Sequence, residues 1–169
     1  MIRAREVLAD CEQALADFQA AGLTPYWRTR WTGLVALLRA VGYVLKDIDA
    51  KQDDYLKKAS DDAWYKLKSS KPDPLIFYGF IDLERHNVVH LYRIGARLNT
   101  EIVPGSGRLS FYGESQQGLI GSTSYKSSIL SGVFSGRDAI EVCREAIGFW
   151  KDYLDKVEAA AQAKKGSVV

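Results

Sequence analysis

Cysteine is scarce in this chain, with only Cys11 and Cys143 among 169 residues. The two positions are far apart, and each falls on the apolar side of a helical pattern, where a free thiol behaves as a small hydrophobic group. This usage argues against a disulfide framework. It fits a reducing, cytoplasmic setting.

Long apolar runs are also absent from the sequence. No stretch approaches the roughly 18 consecutive apolar residues that a membrane span requires. Residues 1–6 open directly into an amphipathic pattern, without the apolar core of a signal peptide. We therefore expect a protein that is neither secreted nor inserted in a membrane.

An excess of charge of one sign is missing as well. Lysine and arginine number 23 against 21 acidic residues, which gives a net charge of +2. With 47% hydrophobic and 26% charged residues, the composition supports neither a disordered tail-binder nor a strongly electrostatic nucleic-acid-binding protein. The length suits one well-buried core, so we predict a single domain over residues 1–169.

What the sequence does contain is helical periodicity, because apolar residues recur at alternating spacings of three and four. This pattern predicts five helices, at about residues 2–20, 25–49, 51–69, 74–95 and 135–161. Gly22 is the expected cap at the end of the first helix. Thr24 with Pro25 predicts the start of the second helix, and Asp73 with Pro74 that of the fourth. Ser135 with Asp138 resembles a weak capping box for the fifth helix.

Residues 96–135 differ in composition from the rest of the chain and are rich in glycine and serine. Alternating runs at 98–103 and 108–112 flank a turn signal at 104–107, which predicts one or two β-hairpins followed by a loop. The tail at 164–169 is expected to fray. The predicted fold is mainly α: an antiparallel bundle of about five helices with a small β-hairpin insertion between helices four and five.

Both histidines of the protein lie in one short motif on the fourth helix, Arg85-His86-Asn87-Val88-Val89-His90. On a wheel of about 100° per residue, apolar side chains occupy one half of this helix. The other half carries the polar groups Tyr78, Asp82, Arg85, His86 and Arg93, with His90 at the border. This clustering makes the fourth helix the candidate functional element.

The motif resembles that of the HEPN superfamily (higher eukaryotes and prokaryotes nucleotide-binding domains), which are helical bundles. Ribonuclease members carry an arginine, commonly followed by a polar residue, and a histidine about four to six positions further on. The resemblance implies a metal-independent endoribonuclease without a cofactor, active as a homodimer. Arg85 would contact the scissile phosphate and His90 would act in proton transfer at the dimer interface.

This division of roles suits the two side chains. Arginine is permanently charged and offers a fork of donors to phosphate oxygens, while an imidazole exchanges protons near neutral pH. The expected product is a cyclic phosphate. We place substrate-binding groups beside the pair: His86, Asp82, Arg93, Lys66 and Lys68. The last two are among the lysines of the preceding segment, at 57, 58, 66, 68 and 71, that could contact phosphates.

Other interpretations of the same residues remain open. Arg85 could be a surface arginine paired with Asp82, and His90 could pack at the edge of the core. Asp82, His86 and His90 lie at successive four-residue steps and could together bind a metal, although no further histidine exists to complete the set. Each of these interpretations makes a different prediction for the surroundings of the motif.

The basic and aromatic cluster of the second helix has two interpretations as well. Arg28 and Arg30, flanked by Trp27 and Trp31, could bind single-stranded RNA. Both tryptophans lie on the apolar stripe of that helix, however, so core packing is the better explanation. Gly105 and Gly107 lack phosphate-loop spacing, and with both histidines on one helix no Ser-His-Asp or Cys-His constellation arises.

Two functions of different classes follow from the sequence. The first is a HEPN-like ribonuclease that acts on RNA, as a toxin or as a phage-defence or stress component, with an antitoxin or other partner protein. The second is a non-catalytic interaction module that binds a partner through the polar face of helix four. They differ on Arg85 and His90, which are essential to catalysis in the first and structural in the second.

Overall fold

The computed structural model describes residues 1–20, 26–103, 106–111, 114–119 and 122–167. These residues form a bundle of five α-helices with a β insertion, as predicted. The helices are α1 (Arg3–Ala20), α2 (Trp27–Asp47), α3 (Asp54–Ser69), α4 (Leu83–Leu91) and α5 (Ala139–Gly166). A short 3₁₀ turn (Asp49–Lys51) follows α2, and a π-helical segment (Ile76–Asp82) runs directly into α4.

The core of the bundle is formed by the apolar stripes that the periodicity predicts. Trp31 of α2 and Trp150 of α5 are its largest fully buried side chains. Cys11 and Cys143 are free and buried in the same core. Burial raises the pKa of the Cys11 thiol to about 12 and also raises that of Cys143. Both therefore act as small apolar groups, as expected.

Aspartates cap two of the helices. Asp53 accepts hydrogen bonds from the backbone N–H groups of Tyr55 and Leu56 at the start of α3. Asp138 does the same for α5, whereas Ser135, the predicted cap, donates instead to the carbonyl of Leu130. The predicted capping positions 22, 24 and 25 lie outside the described residues.

The insertion is confirmed, but its strand pairing differs from the prediction. The strands are β1 (Ala96–Val103), β2 (Ser106–Phe111), β3 (Glu114–Leu119) and β4 (Ser122–Ile129). β1 pairs antiparallel with β4, and β2 with β3, so one hairpin is nested within another. The predicted neighbours, run 98–103 and the described part of run 108–112, pair with β4 and β3 respectively rather than with each other. Of the predicted turn, residues 106 and 107 belong to β2, and 104 and 105 lie outside the described residues.

The fourth predicted helix is in fact two kinds of helix. Its first seven residues, Ile76–Asp82, are π-helical, and α4 ends at Leu91 rather than at Gly95. A wheel of 100° per residue is wrong for a π-helix, which has more residues per turn than an α-helix. Leu83 and Leu91, which the wheel places on the apolar half, are exposed, whereas Glu84, a charged residue on the same half, is buried.

The C-terminal helix is longer than predicted. α5 continues to Gly166, past Lys164, where the sequence predicts a frayed tail. Two ion pairs accompany these last turns: Lys164 pairs with Asp62 of α3, and Lys165 pairs with Asp53. Among the helices of the described ranges, none has the length and apolar content needed to cross a membrane.

Candidate functional site

The candidate site lies on α4, which the π-helical segment fixes to the core. Phe77 packs edge-on against Trp64 of α3 and Trp150 of α5, with ring centroids 5.9 and 5.8 Å away. Phe80 packs against Trp31 of α2 at 6.0 Å. Aromatic contacts of this kind stabilise a core beyond the area that they bury. The helix that carries the site therefore begins directly after a segment that is packed into the core.

Glu84 anchors α4 from its inner side. Glu84 is only 6% exposed. Its carboxylate Oε1 accepts hydrogen bonds from Trp31 Nε1 at 2.8 Å and from the Gly95 backbone N–H at 2.7 Å. One carboxylate thus joins α2, α4 and the residue just before β1. Glu84 is not among the predicted site residues, because it is neither apolar nor part of the Arg-His motif.

Arg85 and His90 contact each other on the outer side of α4. Arg85 Nη1 lies 3.0 Å from His90 Nε2. Because a guanidinium can only donate, Nε2 is the acceptor, and a neutral imidazole in this contact carries its proton on Nδ1. The structure therefore brings together the two side chains to which the sequence assigns catalysis. Arg85 is half-buried and His90 is exposed.

The structure contradicts the alternative in which Arg85 pairs with Asp82. Asp82 instead accepts a hydrogen bond from Arg39 Nε of α2, at 2.9 Å. Within the part of the chain that the structure describes, no carboxylate forms an ion pair with Arg85. His90, for its part, is exposed rather than packed at the edge of the core. Neither side chain therefore makes the structural contact that this alternative assigns to it.

The two histidines are neighbours on α4, with ring centroids 5.1 Å apart. A metal site on Asp82, His86 and His90 is not formed, since Asp82 is turned to Arg39 and the described residues contain no cluster of three metal-ligating side chains. His86 is exposed beside Arg85. The pair of imidazoles thus lies next to the guanidinium on an open surface.

Two surface cavities meet at Arg85. The first, of about 280 Å³, is polar and is lined by Lys71, Tyr78, Asp82, Leu83, Arg85 and His86. The second, of about 200 Å³, is lined by Ala36, Arg39, Ala40, Tyr43, Arg85 and Val89. Arg85 is the residue common to both linings. A ligand bound in either cavity can therefore reach the Arg85 guanidinium.

The remaining predicted substrate-binding residues are more dispersed. Arg93 is exposed just beyond α4, where its backbone N–H donates to the carbonyl of Asn87. Lys66 lines a groove of about 640 Å³ between α3 and α5, and Lys68 lies over the Trp64 ring at 5.6 Å. The lysine that lines a cavity together with Arg85 is instead Lys71.

Core packing is confirmed for the aromatic cluster of α2. Trp31 is fully buried and Trp27 is half-buried against the core. The arginines beside them have separate neighbours: Arg28 lies over the Tyr92 ring at 5.8 Å, and Arg30 Nη1 donates to the Asp17 carbonyl at 3.4 Å. Trp31 is therefore closed to any ligand, and Trp27 packs part of its surface on the core.

Comparison with known proteins adds no family assignment. Neither a protein-family model, nor a curated protein sequence, nor a solved structure matches this chain.

Proposed function

We propose that this protein is a HEPN-like, metal-independent endoribonuclease, with Arg85 on the scissile phosphate and His90 in proton transfer. The observation that supports the proposal most directly is the 3.0 Å contact between Arg85 Nη1 and His90 Nε2. In this contact a guanidinium and an imidazole lie side by side on the helix, which is the pair of groups that the proposed chemistry needs. Both groups lack an ion pair within the described chain, so substrate has no carboxylate to displace.

A phosphate arriving at this pair replaces the bond between the two side chains. The guanidinium turns its donors to the phosphate oxygens, which are stronger acceptors than an imidazole nitrogen. His90 Nε2 then has a free lone pair and accepts the proton of the ribose 2′-hydroxyl. The Arg85–His90 bond thus holds both groups near their working positions in the free enzyme.

The reaction that follows is an internal transfer. The 2′-oxygen attacks phosphorus, the bond from phosphorus to the 5′-oxygen breaks, and the leaving oxygen takes up a proton. In a homodimer two copies of His90 are available, so one accepts the first proton and the other donates the second. Arg85 stabilises the charge that develops on the phosphate oxygens. The products are a 2′,3′-cyclic phosphate and a 5′-hydroxyl end, with no metal involved.

Exposed apolar side chains on α4 support pairing of this face with a second protein surface. Val89 is 52% exposed and Leu83 is 43% exposed, and each lines a cavity together with Arg85. A second copy of the chain, as in the HEPN arrangement, would cover them. An antitoxin or another partner protein would cover them equally well, and this observation is what favours the second candidate function, a non-catalytic interaction module.

Cleavage chemistry separates the two candidates. Purified protein is incubated in EDTA with a mixed RNA pool and with a matched oligonucleotide that carries 2′-deoxyribose at every position. We expect the RNA alone to be cut, with 2′,3′-cyclic phosphate ends. Cleavage of the all-deoxy strand, or 3′-hydroxyl products, would contradict the proposed mechanism. An intact RNA pool at high protein concentration would favour the interaction module.

A further inference from the structure

The cavity on the α2 side of Arg85 has a different chemistry from the polar cavity beside it. Small and aromatic groups form most of its lining, with Ala36, Ala40 and Tyr43 from α2 and Val89 from α4. Its charged members are the two arginines, Arg39 and Arg85. The cavity thus offers flat, weakly hydrated surfaces and hydrogen-bond donors, and none of its described lining residues carries a carboxylate. Such a cavity suits a planar, uncharged group.

Tyr43 is the central feature of this cavity. The Arg39 guanidinium lies over its ring, with Cζ 4.2 Å from the centroid. Asp82 holds that guanidinium in place through the 2.9 Å bond to Nε, and Arg39 is itself 9% exposed. Tyr43 nevertheless remains 45% exposed. Since Arg39 covers one side of the ring, the accessible area lies on the rest of it.

We propose that this cavity is a nucleobase subsite, in which a base of single-stranded RNA stacks on Tyr43 next to the phosphate held by Arg85. The inference rests on the proposed ribonuclease function and adds how the substrate is held. Aromatic rings bind successive bases of single strands by stacking, and they tolerate any base because every base has a π-face. The cavity volume of about 200 Å³ accommodates one base.

The second cavity completes a path for the strand. Arg85 lines both cavities, so a base on Tyr43 leaves its phosphate at the guanidinium. The strand then continues toward Lys71 and His86, which line the polar cavity together with Asp82, whose negative charge is paired with Arg39. Lysine attracts a phosphate as a point charge without reading sequence. The arrangement therefore predicts a single-stranded substrate with little base preference at this position.

The test is a binding measurement that does not require cleavage. A fluorescein-labelled 2′-O-methyl hexanucleotide, which cannot be cut, is titrated by anisotropy with wild type and with Tyr43→Ala and Tyr43→Phe. Stacking contributes about 1–3 kcal/mol per base, so we expect Tyr43→Ala to raise Kd at least about fivefold. Tyr43→Phe should stay within about twofold of wild type, because the ring alone is needed. Tyr65→Ala, at a 74% exposed tyrosine of α3, is the matched control and should not change Kd.

Abasic oligonucleotides identify the stacked base. Each position of the hexanucleotide is made abasic in turn. Removal of the base at one position should weaken binding by wild type but leave the Kd of Tyr43→Ala unchanged. Equal affinity of Tyr43→Ala and wild type, or no binding of the hexanucleotide by wild type, would overturn the subsite. If RNA is cleaved but Tyr43→Ala binds the hexanucleotide as tightly as wild type does, the ribonuclease function would stand without the subsite. If binding depends on the base but no RNA is cleaved, the subsite would stand and the ribonuclease function would be contradicted.

Discussion

Glu84 and Arg85 are neighbours in the chain, yet they belong to two different faces of the fourth helical segment. The inner face, formed by Phe77, Phe80, Glu84 and Val88, is buried, and its polar group is hydrogen-bonded to Trp31 and Gly95. The outer face, formed by Arg85, His86 and His90, has one hydrogen bond, between Arg85 and His90, and one ring contact, between His86 and His90, among the described residues.

The difference between the two faces assigns them different roles. Inner-face groups are bonded or packed on all sides, so replacing them leaves cavities or unpaired buried groups, which lowers the free energy of unfolding. Outer-face groups have few contacts to lose, and replacing exposed side chains of this kind usually changes stability by less than about 0.5 kcal/mol. If the outer face is functional, the two sets of substitutions should affect different measurements.

The largest expected effect on stability is that of Glu84→Ala. This change leaves Trp31 Nε1 and the Gly95 N–H buried without an acceptor, so we expect the free energy of unfolding to fall by about 3 kcal/mol. Glu84→Gln keeps one carbonyl acceptor and should cost about 1 kcal/mol. Urea denaturation followed by tryptophan fluorescence measures both variants. A Glu84→Ala protein as stable as wild type would break the distinction between the faces.

A smaller effect is expected where the backbone approaches Glu84. A Cβ added at Gly95 would overlap the Glu84 carboxylate, which cannot move away without losing its bonds to Trp31 and Gly95. We expect Gly95→Ala to lower the free energy of unfolding by about 1–3 kcal/mol. The same change at Gly33, on an open surface of α2, is the matched control.

Gly33→Ala should act in the opposite direction, raising the free energy of unfolding by about 0.5–1 kcal/mol through better helix propensity. The two variants differ by one methyl group each, so their opposite signs isolate the effect of the Glu84 contact. Equal stability changes in both would show that Gly95 makes no close approach to the carboxylate in solution.

Periodicity was sufficient to predict most of the fold. The apolar stripes of α1, α2 and α5 are buried where the spacing places them, because residues three and four apart share one face of a helix. The strand pairing was not predictable in the same way. An antiparallel register is decided by partners far apart in sequence, and β1, which ends at Val103, pairs with β4, which begins only at Ser122.

The candidate site shows a similar limit of sequence reasoning. The four-residue spacing of His86 and His90 predicts their proximity on one helix, and their rings are neighbours. The partner of Asp82 was not predictable, since Arg39 reaches it from α2 through tertiary packing. The same holds for Tyr43, which shares a cavity with Arg85 only because α2 and α4 pack together. Local pattern thus predicts contacts within a helix, whereas contacts between helices need the fold.

The most direct test measures cleavage and stability on the same samples of wild type, Arg85→Ala and His90→Ala. We predict that wild type cuts RNA in EDTA and that His90→Ala lowers the rate by about 10²–10⁴-fold, the usual contribution of a general acid or base. Both variants should unfold within about 0.5 kcal/mol of wild type in urea. Undiminished cleavage by either variant, or a loss of cleavage that follows a loss of stability, would contradict the assignment of function to the outer face.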